Sequence, residues 1–146
     1  MDATNDGEVV IQIGQEKYRT EVSAGGQTMV VDEPVEVGGA GGAPTPYDLL
    51  LGSIGACTAM TLRMYADRKG WPLERVTVRL RQARSHAQDC ADCPTKHVGL
   101  NQIERDLEME GPLTDEQRER LTQIADRCPV KQTLERGIKV VAAQTV

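Results

Sequence analysis

Two cysteines carry the chemistry open to this chain. Cys57 lies in a long apolar run from Pro46 to Lys69, and Cys128 is followed at once by Pro129. A Cys-Pro step at a helix start sets a sulfur among free backbone N–H groups, and Arg127 adds a positive charge beside it. Both favour the thiolate, which is the nucleophilic form of the side chain. Cys57 taken alone would pass for a buried, space-filling thiol. Together the two make one reactive thiol on a helix end and one partner on a buried helix, and the residues leave open which of them attacks first.

A second constellation is His86-x3-Cys90-x2-Cys93-x3-His97. Two thiols and two imidazoles at these intervals can hold Zn2+ tetrahedrally, because both sulfurs of a CxxC turn reach one metal. The spacing is more compact than in a zinc finger, whose second ligand pair lies about a dozen residues away. A CxxC can also cycle as a dithiol, although no helix follows Cys90 to depress its pKa and Pro94 interrupts the turn. An inert loop with two solvated histidines is the third alternative.

Composition excludes several classes. At 146 residues the chain makes a single domain, 1–146, large enough for its own core. A net charge of −5 argues against nucleic acid, whose phosphates need an excess of Lys and Arg. Aromatic content of 3% with no Phe leaves no stacking platform for bases either. The apolar stretch at 49–62 is too short and too interrupted to span a bilayer, and the start, MDATNDGEVV, has neither a basic segment nor an apolar one. The expectation is a cytoplasmic protein with no membrane partner, whose cysteines stay reduced and so point toward catalysis or metal rather than staples.

The elements that must position these thiols follow from pattern. Residues 9–13 and 17–22 flank Gly14-Gln15-Glu16, and 27–31 follows Gly25-Gly26, which predicts an N-terminal antiparallel meander. A glycine-rich loop, 38–43, leads into a helix that Thr45 and Asp48 start as a capping box, with Pro46 at its first position and Gly70 and Pro72 beyond its end. Strands follow at 75–83, with Val76, Val78 and Leu80 on one face, and at 100–110, with Ile103, Leu107 and Met109 alternating against Glu104, Asp106 and Glu108. Thr114 and Gln117 start a helix running to about Arg127, with a stripe of Leu121, Ile124 and Ala125. Its charged run from Asp115 to Arg120 reads as an exposed face. A short helix from Pro129 to Glu135 and a last strand over Ile138, Val140 and Ala142 complete an α+β pattern without βαβ alternation.

The central helix spans roughly 33 Å at 1.5 Å per residue. Gly52, Gly55, Ala56 and Ala59 give it a small-residue face, and Leu49, Leu50, Ile54 and Leu62 supply bulk elsewhere. A helix apolar nearly all round is a buried helix, and one domain of this size offers little to wrap it. The expectation is an obligate homodimer with a large shared core.

The segments Thr45-Pro46-Tyr47-Asp48-Leu49-Leu50-Leu51-Gly52-Ser53-Ile54-Gly55-Ala56-Cys57-Thr58 and Ala125-Asp126-Arg127-Cys128-Pro129-Val130-Lys131 resemble the two signature segments of the OsmC/Ohr family of thiol-dependent hydroperoxide reductases. The resemblance extends over essentially the whole chain in element order. It implies an OsmC-like fold in an intertwined homodimer, and reduction of organic hydroperoxides and H2O2 without haem, flavin or metal. Cys57 then corresponds to the peroxidatic thiolate that becomes a sulfenic acid. Cys128 corresponds to the thiol that resolves it as an intramolecular disulfide, later reduced by an external dithiol. In the family a glutamate directly follows the proline and, with an arginine from the N-terminal sheet, organises the peroxidatic thiolate. This chain has Tyr47 in that place, Asp48 about 100° further round the helix, and Arg19 as the only arginine ahead of Arg63.

Overall fold

The structure is a computed structural model that describes residues 7–83, 100 and 102–144. The chain divides into two compact units, Met1–Leu50 and Leu51–Val146.

The first unit is the meander. Strands β1 (Val10–Ile13), β2 (Thr20–Ala24) and β3 (Gln27–Val31) pair antiparallel in the order β1-β2-β3. Ala24 faces Gln27 across the two-residue turn Gly25-Gly26, where both residues have positive φ, 57° and 78°. That is the twist a tight hairpin needs and the reason for two glycines. β2 starts later than the expected residue 17 because the backbone N–H groups of Lys17 and Arg19 donate to the carbonyls of Gln15 and Glu16 within the turn, with Lys17 itself at φ 50°. After β3 the chain makes a 3-10 turn at Val35–Val37 and doubles back closely. A Cβ on Gly39 would lie 1.9 Å from the carbonyl oxygen of Glu33, so no other residue fits there.

Helix α1 (Pro46–Lys69) opens with the expected capping box. The Asp48 N–H donates to Thr45 Oγ1 at 3.2 Å, and the Thr45 N–H donates to Asp48 Oδ2 at 2.9 Å.

The second unit carries the core. Strands β4 (Arg75–Ala83) and β5 (Gln102–Glu110) form a two-stranded antiparallel sheet, Val76 opposite Met109 and Val78 opposite Leu107. Their outer face is a charge ladder in which Arg79 pairs with Glu108 at 2.9 Å and Arg81 with both Glu104 and Asp106 at 2.7 Å. Helix α2 (Asp115–Ala125) starts at a second capping box, Thr114 with Gln117. Leu62 and Ala66 of α1, Leu73, and Leu121, Ile124 and Ala125 of α2 form one buried cluster, flanked by Val76, Leu107 and Met109. By length and composition alone α1 is long and apolar enough to cross a membrane, beyond what the 49–62 stretch suggested. Its buried face nevertheless meets α2 and the sheet, as a core helix does. Gly55 marks the closest crossing, because a Cβ there would sit 2.7 Å from Leu80 Cδ1 of β4.

At the far end of α1 the Tyr65 ring meets Trp71 edge-on at 5.5 Å, with Arg68, Lys69 and Arg120 at 5.7–5.9 Å from its centroid. Arg120 Nε also donates to Tyr65 Oη at 3.2 Å, and this bond holds the phenol below its ordinary pKa.

The last helix, α3 (Pro129–Arg136), ends at Gly137. The strand expected over Ile138, Val140 and Ala142 does not form. Residues 137–144 run on without a ladder, and Ile138 and Val140 are 62% and 93% exposed. A strand exists only where another edge accepts its N–H and C=O groups, and the tail meets none among the described residues.

Gly111 should be the least replaceable backbone position of the second unit. It sits at φ 134°, and a Cβ would lie 2.1 Å from the Pro72 carbonyl oxygen. Gly111→Ala is expected to cost about 2 kcal/mol or more. Chemical denaturation of the purified variant checks it, against Gly14→Ala, where a Cβ meets nothing within 4 Å.

Candidate active site

The two thiols meet inside the second unit. Cys57 lies in the middle of α1, half-buried, and Cys128 is the N-cap of α3, fully buried. Both are free thiols within hydrogen-bonding reach of one another. Cys128 Sγ also lies 3.9 Å from the carbonyl oxygen of Ile54, one turn before Cys57. The start of α3 is therefore docked on the middle of α1, as a direct disulfide requires.

The reason for this docking is local. Pro129 takes the first helical position, where a missing N–H costs nothing, and leaves the next N–H groups pointing back at residue 128. The Lys131 N–H donates to Cys128 Sγ at 3.5 Å, and the Val130 N–H is within reach of both sulfurs. The nearby hydroxyls are already committed. Thr58 Oγ1 donates to Ile54 O at 2.8 Å and Thr61 Oγ1 to Cys57 O at 2.7 Å. Thr61 beside Cys57 and Thr58 beside Cys128 still favour the thiolate form of each, alongside the α3 backbone N–H groups.

Those donors are shared unequally. Burial pushes the Cys57 thiol up from its ordinary pKa, and the hydrogen bond it gives to Cys128 holds it there. Burial pushes Cys128 the same way, but the bond from Cys57 and the Lys131 N–H outweigh it and carry that thiol below its ordinary value. A pair so close shares its protons, so its two ionisations belong to the pair rather than to either sulfur alone. Arg127 is exposed, and its charge bears on the Tyr65 hydroxyl.

A residue that sequence reasoning passed over supports this turn. Arg105 occupies the inner face of β5, opposite Leu80, where the alternation calls for an apolar side chain. Its guanidinium donates to Ala125 O at 3.3 Å and to Asp126 Oδ1 at 3.0 Å, tying down the end of α2. Lys131 Nζ lies 3.9 Å from the same Asp126 oxygen and bonds Glu135. The Cys128 turn is thus held on both sides. The available signal was a charged residue at an apolar phase of a strand, which has to find partners when folded.

Arg19, Tyr47 and Asp48 belong to the first unit. Arg19 pairs with Glu21 at 3.2 Å, both exposed. Tyr47 is 40% exposed, and the Asp48 carboxylate is engaged by the Thr45 N–H. His86, Cys90, Cys93 and His97 lie outside the described residues, so the metal or dithiol alternatives for that loop stand as expectations. Among the described residues no group of three or more His, Cys, Asp or Glu side chains is placed to hold a metal ion.

The family model described as OsmC-like protein matches residues 39–142. The chain belongs to this family. No curated protein matches it. Among solved structures, an OsmC-like protein from Mycoplasma pneumoniae is 18% identical with a TM-score of 0.72, over 92% of this chain and 89% of that one. An organic hydroperoxide resistance protein OsmC from Legionella pneumophila is 23% identical with a TM-score of 0.61, over 86% and 87%. An organic hydroperoxide resistance protein from Elizabethkingia anophelis is 19% identical with a TM-score of 0.61, over 90% and 89%. These likenesses establish the mixed α+β fold, with its antiparallel strands and central helix.

The unequal hydrogen bonding makes a titration prediction. With Cys90 and Cys93 replaced by serine, thiolate absorbance should rise in two separated steps, one below and one above the ordinary cysteine value. Removing either remaining cysteine should leave one step. Two coincident steps at the ordinary value would contradict the arrangement.

Proposed function

We propose that this protein is a cytoplasmic, homodimeric thiol peroxidase that reduces organic hydroperoxides and H2O2 through Cys57 and Cys128, without a cofactor, and is recycled by an external dithiol. The observation that carries the proposal is the apposition of two free thiols at the first turn of α3, whose N–H groups favour a thiolate. Membership of the OsmC-like family supports it, as do fold relatives named for organic hydroperoxide resistance. Cys57 is the more accessible thiol, and it attacks the terminal peroxide oxygen to become a sulfenic acid. Cys128, already in contact, displaces hydroxide from that sulfur and closes the disulfide.

Arg19, Tyr47 and Asp48 enter the proposal through the family resemblance. Arg19 supplies the cation for the Cys57 thiolate, and Tyr47 stands in the place of the family's glutamate as a hydroxyl donor. Asp48 already serves the capping box, and its part is to fix the start of α1. On this assignment Arg19→Ala slows peroxide attack more than it changes stability.

The homodimer rests on uncovered apolar surface. Val10, Ile11 and Ile13 of β1, Met60 and Met64 of α1, and Ile138, Val140 and Val141 of the tail are all at least 39% exposed. Apolar side chains left exposed on a sheet, on a helix and along an extended tail support a covering partner, and a second copy of the chain is its proposed identity.

Two measurements test the proposal. Dithiol-dependent consumption of cumene hydroperoxide should vanish in Cys57→Ser, and wild-type protein that turns over no hydroperoxide with any dithiol would refute the activity. Sedimentation should give a dimer at all working concentrations, with an interface above roughly 2,000 Å2. A stable, folded 15.9 kDa monomer would rule the dimer out.

A further inference from the structure

The two sulfurs come from elements far apart in the chain, and one rung of the β4–β5 sheet reaches the backbone beside each. Leu80 of β4 lies directly opposite Arg105 of β5, and facing residues of an antiparallel pair share one side of the sheet. Leu80 packs on α1 where Gly55 leaves room for it, since a Cβ on that glycine would lie 2.7 Å from Leu80 Cδ1. Gly55 stands two residues before Cys57 and next to Ile54, whose carbonyl oxygen lies 3.9 Å from Cys128 Sγ. Arg105 reaches the other backbone. Its guanidinium donates to Ala125 O at 3.3 Å and to Asp126 Oδ1 at 3.0 Å, and Asp126 stands two residues before Cys128. A planar fork that bonds a carbonyl and a carboxylate at once fixes direction as well as distance. From Asp126 the connection runs forward, because Lys131 Nζ lies 3.9 Å from the same oxygen and the Lys131 backbone N–H donates to Cys128 Sγ at 3.5 Å.

We propose that this rung sets the separation of the two thiols, with Arg105 as the positioning residue that makes their disulfide easy to close. The inference rests on the Cys57–Cys128 pair of the function proposed above. Arg105 touches neither sulfur. It acts through Asp126 and Arg127, the only residues between the end of α2 and Cys128. With α1 held against Leu80 and this turn held by Arg105, both sulfur-bearing backbones are referred to the same pair of facing residues. A disulfide tolerates Cα separations of only about 4.4–6.8 Å, so the freedom that the guanidinium removes beforehand is freedom the pair would otherwise lose on closing.

Packing does not hold this turn. Helix α3 has no buried residue of its own, Asp126 and Arg127 are exposed, and Cys128 is the buried anchor. Polar bonds from β5 take over that task. Filling the inner face is a poor explanation for Arg105, because its side chain is only 19% exposed and an apolar residue would occupy the position with less desolvation cost.

The test is the equilibrium of the disulfide, which involves no hydroperoxide. Protein with Cys90 and Cys93 replaced by serine is equilibrated with mixtures of reduced and oxidised dithiothreitol, and the oxidised fraction is read by alkylation and mass spectrometry. Two electrons and two protons pass from the dithiol to the Cys57–Cys128 disulfide, giving two protein thiols and cyclic oxidised dithiothreitol. Arg105→Gln should lower the equilibrium constant for disulfide formation about tenfold, a shift of about 30 mV toward easier reduction. Arg105→Lys, which keeps the charge without the planar fork, should fall between that variant and the parent. Arg79→Gln, which breaks an ion pair on the outer face of the same sheet, should match the parent. Urea denaturation of the reduced proteins, followed by circular dichroism, separates the two roles, since a purely structural arginine lowers stability and leaves the disulfide equilibrium of the folded protein where it was. A folded Arg105→Gln variant with the parent's equilibrium overturns the proposal, as does an equal shift in Arg79→Gln. If Arg105→Gln does not fold, Asp126→Asn decides. It removes an exposed carboxylate, leaves the inner face intact and should shift the equilibrium in the same direction, and the parent's value in that variant overturns the proposal. A parent that forms no Cys57–Cys128 disulfide would remove the proposed function itself, an outcome distinct from a disulfide that ignores Arg105.

Discussion

Everything in the second unit depends on one contact, the burial of the far half of α1 against α2. Leu62, Ala66, Leu121 and Ala125 have no solvent exposure and Ile124 has 2%. Side chains of the leucine and isoleucine type are worth roughly 1.5–3 kcal/mol each when fully buried, so this cluster outweighs any single polar contact nearby. Its position determines where the thiols go. With α2 clamped to α1 beyond Thr61, the turn after Ala125 has only a few residues in which to reverse, and it returns α3 to the middle of α1. Gly55 lets β4 approach the same stretch from another side. The site is thus a by-product of a packing decision made two helical turns away.

The elements on which that contact rests were legible in sequence, for specific reasons. Both capping boxes announced helix starts that the structure keeps to the residue, because Thr45 and Thr114 close reciprocal bonds that few other residue types can make. The stripe of Leu121, Ile124 and Ala125 marked the buried face of α2. Gly25-Gly26 marked its hairpin. The last strand was misjudged because alternation in Ile138, Val140 and Ala142 records only what a strand would do if an edge were offered. Arg105 was missed for a related reason. Alternation describes a face by its majority, and a single guanidinium that finds a carbonyl and a carboxylate is invisible until the fold brings β5 beside the end of α2.

For the thiols, sequence located the pair and structure supplied the difference between them. A Cys-Pro step says that a sulfur caps a helix, but not that a second sulfur from the middle of another helix comes within reach of the same N–H groups. Nor does it say that both neighbouring threonines spend their protons on carbonyls. These are questions of which donor is left over, and they depend on contacts between residues far apart in the chain. Helix ends are suited to asymmetry of this kind, since N–H groups converge there while none are free along the helix interior.

Trp71 offers a different use of the fold. It is the chain's one tryptophan, and it sits edge-on to Tyr65 at 5.5 Å, packed against the core at the end of α1 remote from the cysteines. Its emission therefore reports on whether α1 and α2 remain docked and is largely indifferent to the redox state of the sulfurs. An optical signal from one indole can follow loss of the core while thiol chemistry is read separately at the other end of the helix. A local opening of the Cys128 turn and a global unfolding event become distinguishable in the same cuvette, without adding a label.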